Sequence, residues 1–320
     1  MRIAVFFCCA QLITWAAHAA LPASSPSYPT RPIRVVTSEP GGTGDVTTRM
    51  LAPRLSAMLG QQVVVDNRPS GVIPAQIVAA APADGYTLLT YTTALWITPL
   101  LQKAPYDPVR DFSPITLVVS SPNVLVVHPT VAAVSVQEFI ALAKSRPGEL
   151  NYGSSGVGTS AHIAAELFKA MAGVSFVHVA YKGSGVAIVA LMSNEIQLNF
   201  APGAAAAPHI KSGRLRALAV TSTQPSALLP TLPTVAASGL PGYETVNTGG
   251  ILAPVKTPRA IIAKLNQDIG NLVRQPDVKE KFFGIGLETT TSTPEEFAVL
   301  IKTEMTRIGK VIRDAGIRAN

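Results

Sequence analysis

Short β-branched runs alternate along the chain with stretches of helical period, and that alternation predicts an α/β protein. Residues 33–37 read as a strand, 46–59 as a helix, 63–65 as a strand, 73–81 as a helix and 86–91 as a strand. This βαβαβ order predicts a mainly parallel sheet with helices on its faces. Pro53 sits inside the first helical stretch, where it removes a backbone donor and should kink the helix.

Two extended segments follow at 115–119 and 124–127. Ser135 and Glu138 then form a capping box that opens a helix to Lys144. The alternation resumes with a strand at Asn151 and Tyr152, and then helix 160–171, strand 176–179, helix 184–192, strand 197–200, helix 204–211 and strand 215–220. Thr257-Pro258 and Thr293-Pro294 each read as an N-cap followed by proline at the first helical position. The helices they open should reach about residues 273 and 312. No internal repeat is visible. Two successive α/β halves predict a cleft, with ligands outside the C-terminal ends of the strands.

Composition narrows this picture. Hydrophobic residues make up 48% and charged residues 14% of 320 positions, which suits about two folded domains with sizeable cores and excludes wholesale disorder. The first 19 residues read as a secretory signal: Arg2, an apolar stretch 3–15 too short to span a bilayer, and Ala17-His18-Ala19 as a cleavage site. Residues 20–31 are rich in Pro, Ser and Ala and read as a linker. Cys8 and Cys9 lie within the signal, so the expected mature chain is cysteine-free and exported, without a disulfide framework or CxxC zinc site. The net charge of +7 is spread along the chain, with neither the basic stripe nor the interleaved aromatics of a nucleic-acid binder.

Two glycine-rich loops are the candidates for chemistry. In Gly41-Gly42-Thr43-Gly44-Asp45, between a strand and a helix, glycines allow close backbone approach and the helix N-terminus favours an anion. A tight turn with an aspartate cap is the competing reading. Gly153-Ser154-Ser155-Gly156-Val157-Gly158-Thr159 also joins a strand to a helix, and its hydroxyls and amides suit an oxygen-rich solute. An elaborate capping loop is the alternative there. The dinucleotide-like spacing of Gly156, Gly158 and Ala161 lacks the acidic residue such sites place about 20 positions on. Ser154, Ser155, His162 and Asp45 could be drawn as a hydrolase triad, yet no G-x-S-x-G elbow is present. His128, His162, His178 and His209 form no metal-binding pattern, so neither metal nor cofactor is expected. His162, beside the second loop, reads first as a structural hydrogen bonder.

Taken together these motifs are similar to those of the Bug-type periplasmic solute-binding proteins, the receptors of tripartite tricarboxylate transporters. The resemblance rests on Pro32-Ile33-Arg34-Val35-Val36, Pro40-Gly41-Gly42 with Asp45, Val65-Asp66-Asn67-Arg68-Pro69, Asp84-Gly85-Tyr86, Tyr106-Asp107-Pro108, Tyr152-Gly153-Ser154-Ser155-Gly156 with His162, and Ala180-Tyr181-Lys182-Gly183. It extends to Pro233-Thr234-Val235 and Gly239-Leu240-Pro241-Gly242-Tyr243, covering nearly the whole mature chain in order.

It implies a two-domain Venus-flytrap fold with two crossover segments: domain 1 from 32–121 plus 250–320, domain 2 from 122–249, and a ligand cleft between them. It further implies a non-catalytic periplasmic receptor, a monomer, that clamps a small carboxylate. The first wall would be Gly41, Gly42, Thr43, Gly44 and Asp45, the second Ser154, Ser155, Gly156, Thr159 and His162, with Thr92 and Thr93 beside them. Its partners would be permease subunits of such a transporter, or a sensor kinase. An exported Ser/His hydrolase and a binding protein with a decayed pocket are the alternatives. Three departures stand out. The stretch Ser70-Gly71-Val72-Ile73-Pro74 is shorter and poorer in glycine than the family pattern, Asn247-Thr248-Gly249-Gly250 lacks an aromatic, and Ala201-Pro202 replaces an occasional aspartate. The last favours a carboxylate without an amino group.

Overall fold

The computed structural model describes residues 28–317 except 39, 70, 182 and 315. The signal and most of the linker lie outside that range. The chain forms β1 (Ile33–Thr37), α1 (Thr43–Leu59), β2 (Val63–Asn67), α2 (Ile73–Ala79), β3 (Thr87–Thr92) and α3 (Ala94–Leu101). Next come β4 (Phe112–Val127), α4 (Val136–Ser145), β5 (Asn151–Ser154), α5 (Ser160–Ala172), β6 (Val177–Ala180), α6 (Ser184–Met192), β7 (Leu198–Pro202), α7 (Gly203–Lys211) and β8 (Arg216–Val220). The chain finishes with β9 (Val246–Pro254), α8 (Arg259–Val273), α9 (Pro276–Gly284), β10 (Glu288–Thr289) and α10 (Pro294–Asp314).

The strands follow one path, β2-β1-β3-β9-β4-β7-β5-β6, and β8 and β10 also pair with β4. The β4 strand is the spine. Its first part pairs with β9 and β10, and its last residues pair with β7 and β8. Two lobes result, each with helices on its sheet. The expected parallel sheet is corrected to a mixed one. Parallel pairing holds for β1 with β2 and β3, and for β5 with β6 and β7. Every pair made by β4 or β9 is antiparallel. The two extended segments expected at 115–119 and 124–127 are one strand of 16 residues. Its almost unbroken burial reflects cover on both faces.

The first lobe's core gathers Val35, Leu88, Ile115 and Ile251 beneath α1 and α8. The second packs Phe139, Tyr152, Phe168, Phe200 and Tyr243 around β5 and β7. Helix α10 is strongly amphipathic and buries Phe297, Ile301, Ile308 and Ile312 along one face. Each such side chain contributes about 1.5–3 kcal/mol when taken from water. Thr293 and Glu296 cap α10 reciprocally: Glu296 N–H donates to Thr293 Oγ1 at 3.1 Å, and Thr293 N–H to Glu296 Oε2 at 2.8 Å. The expected Thr257 cap of α8 is not formed. Its hydroxyl donates to Pro254 O at 2.8 Å, and Pro258 occupies the N-cap position. Helix α10 also reaches the second lobe, where Arg307 donates to Glu244 O. Val311 joins the second lobe's core there, while Ile163 of α5 packs into a first-lobe cluster.

Candidate functional site

Strand β1 delivers the chain to the first loop. Gly41 takes φ +83, a left-handed conformation glycine adopts without penalty. Helix α1 then begins at Thr43, three residues earlier than the sequence pattern predicts, so Thr43 and Gly44 are its first turn. Gly44 is required by space: a Cβ there would lie 2.4 Å from Thr37 Oγ1 and 3.1 Å from Thr90 O. Asp45 is buried and faces inward. It accepts Gly41 N–H at 2.9 Å, Arg49 Nε–H at 2.7 Å and Asn67 Nδ2–H at 2.8 Å. Burial pushes its carboxyl up, but the hydrogen bonds from Gly41, Asn67 and Arg49, with the guanidinium charge, outweigh this and hold it below the usual range.

Strand β5 leads into the second loop. Ser154 is fully buried, and its hydroxyl lies 2.7 Å from His178 Nε2. It also accepts Gly156 N–H at 3.1 Å and donates to Gly156 O at 3.0 Å. Thr159 Oγ1 donates to the same carbonyl at 2.8 Å. His162 Nδ1 accepts Gly158 N–H at 2.9 Å. The rings of His162 and His178 stack at 4.1 Å, and Tyr152 stacks on His178 at 4.7 Å. Burial first, and for His162 the neighbouring His178, lowers both imidazoles, His162 to about 4. Glu166, beneath this stack, accepts Tyr152 Oη–H at 2.6 Å and Lys169 Nζ–H at 2.8 Å.

The two loops meet at a cavity of about 490 Å³. Gly42, Thr43 and Gly44 form its first wall, Val157, Gly158 and Thr159 its second, and Thr92, Ala94, Thr98 and Leu101 lie between. Two helices start at this space, α1 at Thr43 and α5 at Ser160, while α3 runs along it from Ala94 to Leu101. Neither of the two has a side-chain cap. Their leading amides supply partial positive charge, and the described lining residues include no Lys, Arg, His, Asp or Glu. A larger cavity of about 640 Å³ lies between α8, α10 and the start of β4. Its inner polar side chains are committed elsewhere. Asn266 Nδ2 donates to Ile115 O and Ser292 O, and Thr257 bonds Pro254 O. Among the described residues no group of three His, Cys, Asp or Glu gathers to hold a metal ion.

The fold and this two-sided cavity can be set beside known proteins. A model of the tripartite tricarboxylate transporter family receptor matches residues 47–317. The chain belongs to that family. BugT of Bordetella pertussis is 36% identical over 305 residues, covering 93% of this chain and 94% of its own. Among solved structures, an R. palustris protein with adipate superposes with a TM-score of 0.77 at 36% identity, over 91% of this chain and 99% of its own. MatC from Rhodopseudomonas palustris, with bound malate, gives 0.72 at 26% identity, over 89% of this chain and 100% of its own. The two-domain periplasmic-binding-protein architecture expected from the sequence is shared with these structures.

The site residues expected from the sequence separate into two shells. Gly42, Thr43, Gly44, Thr92 and Thr159 line the cavity. Gly41, Asp45, Thr93, Ser154, Ser155, Gly156 and His162 are not among its lining residues, and most of them shape those that are. Thr93, for instance, donates through Oγ1 to Asn247 Oδ1 at 2.9 Å, holding a cavity residue. Ser38, Tyr91, Thr98, Leu101, Gln102 and Asn247 line the cavity without having been anticipated as contacts, as does Gly71 from the shortened loop. Thr98, Leu101 and Gln102 belong to or follow α3, a helix the hydrophobic pattern did not reveal.

Proposed function

We propose that the protein is a periplasmic, non-catalytic receptor that binds a small carboxylate in the cavity between the two glycine-rich loops. One observation carries this reading: two uncapped helix N-termini, that of α1 from the first lobe and that of α5 from the second, open onto one space whose described lining holds no charged side chain. Amide dipoles and the hydroxyls of Ser38, Thr43 and Thr92 meet an anion's charge there. The adipate and malate held by the two R. palustris relatives are carboxylates of this kind.

Binding would favour the closed form, because only the closed cleft offers both walls to the carboxylate. The division into 32–121 plus 250–320 and 122–249 fits this mechanism. Pro122 pairs with Val246 and Val119 with Gly249, so both crossovers run side by side and can flex together. We further propose that the loaded receptor, exported by its signal segment, delivers the acid to the permease of a tripartite tricarboxylate transporter. The hydrolase reading has a Ser–His contact behind it, Ser154 with His178, but that serine is fully buried beneath the second loop.

Native mass spectrometry of the protein purified from the periplasm without refolding tests the proposal. A co-purified small acid, displaced by adipate, supports it. A preparation that neither carries an acid nor gains adipate, malate or any aromatic or tricarboxylic acid at millimolar concentration overturns it.

A further inference from the structure

Behind the second wall lies a pair of rings that touches no part of the cavity yet grips the loop at two points. Gly158 N–H can only donate, so the 2.9 Å bond fixes His162 with a bare Nδ1 and its proton on Nε2. His178 holds Ser154, which in turn binds both backbone groups of Gly156. With His178 donating from Nε2, every one of these contacts on the serine hydroxyl is satisfied at once. The two grips bracket the turn from Gly156 to Gly158, whose positive φ angles of +133° and +78° glycine adopts without penalty.

We propose that His162 and His178 are positioning residues for the second wall of the cavity, and that this wall keeps its binding shape only while His162 is neutral. The inference rests on the carboxylate reading only for its functional meaning. A proton on His162 Nδ1 turns the acceptor into a donor aimed at the Gly158 N–H, and that bond is lost. A charge on either ring also opposes charge on the other, 4.1 Å away. Among the described residues three titratable groups face the pair: Tyr152 from β5, and Glu166 and Lys169 from α5. Glu166 favours a charged imidazole and Lys169 opposes it. The carboxylate and ammonium are already paired with each other at 2.8 and 2.9 Å. Burial therefore decides, and it keeps both rings neutral near pH 7. Acidification would loosen Val157, Gly158 and Thr159 and with them one wall of the site.

Hydrogen exchange of the full ligand-free chain, corrected for intrinsic rates, reads this directly. Below the ordinary histidine range, near pH 6.5, protection of residues 156–162 should fall by up to about tenfold per pH unit. His162→Asn keeps an acceptor at the Nδ1 position without a titrating ring, so its protection should stay flat over the same range. Protection in the unaltered chain that ignores pH, or a fall of equal size in His162→Asn, overturns the proposal. Should that variant not fold, an NMR titration of the unaltered chain decides: the Gly158 amide resonance must follow the His162 ring, and one that does not refutes the assignment. Neither readout needs a bound acid. An adipate titration at pH 7 fails or succeeds separately and bears on the carboxylate reading alone.

Discussion

The two walls of the cavity do similar work with opposite chemistry. The first is held by charge: Asp45 ties Gly41, Asn67 and Arg49 together, and Asn67 also donates to Ser38 O at 2.7 Å. The second is held by neutral groups: two stacked imidazoles, a serine and a threonine. In both, the groups that bind the scaffold lie behind the groups that face the ligand. The difference shows in pH. Asp45 titrates below its unfolded value of about 3.9, so its stabilisation is present above that value and lost as pH falls through its lower folded value. His162 titrates near 4 when folded and near 6.5 when unfolded. Its neutral form is the stabilising one, so that contribution is complete above pH ~6.5 and is lost as pH falls toward ~4. The second wall should therefore fail first on acidification.

Asp45→Ala should do the most damage. It removes the buried carboxylate that accepts charge-assisted hydrogen bonds from Gly41 N–H, Asn67 and Arg49, which should destabilise the protein by about 3 kcal/mol, read by urea unfolding. A loss below ~0.5 kcal/mol would mean that the charged network is ornamental. Slightly smaller is the acid effect itself. His162 alone should remove up to about 3 kcal/mol between pH 6.5 and pH 4, and His162→Asn should abolish that slope. Third, Gly158→Ala adds a Cβ at φ +78 that would lie 2.2 Å from Leu101 Cδ1 across the cleft. It should cost about 1–2 kcal/mol of stability and weaken adipate binding by a larger factor than stability explains, measured by calorimetry. The smallest effect is expected from Thr43→Ala, which removes one lining hydroxyl and should weaken binding by about 1 kcal/mol with unfolding unchanged.

What could be read from the chain follows the range of the forces involved. β1 and α6 fall where their local patterns put them, because a β-branched run between turn signals and an N-terminal glycine before an apolar run are local facts. α3 escaped notice because Thr98 and Pro99 interrupt it and its burial of Leu95 and Trp96 is set by distant α10. β9 escaped because Gly249 and Gly250 argue against a strand, yet a Cβ at Gly250 would lie 2.5 Å from Phe297 and 2.8 Å from Thr116 O. The antiparallel β4–β9 seam joins residues more than a hundred positions apart, and no local signal encodes it. At the site, glycine and hydroxyl residues announced both loops. His178 did not announce itself, because it sits on an edge strand and gains its role only when stacked on His162.

If helix N-termini from both lobes hold a carboxylate, the ligand's charge must matter to binding. Calorimetric titration at pH 7.5 with adipate and with adipamide, its uncharged counterpart, tests it most directly. Adipate should bind saturably, at least about a hundredfold tighter than adipamide, a gap of about 2.7 kcal/mol. Equal affinity for the two, or binding of adipamide alone, would show that the cavity is not an anion site.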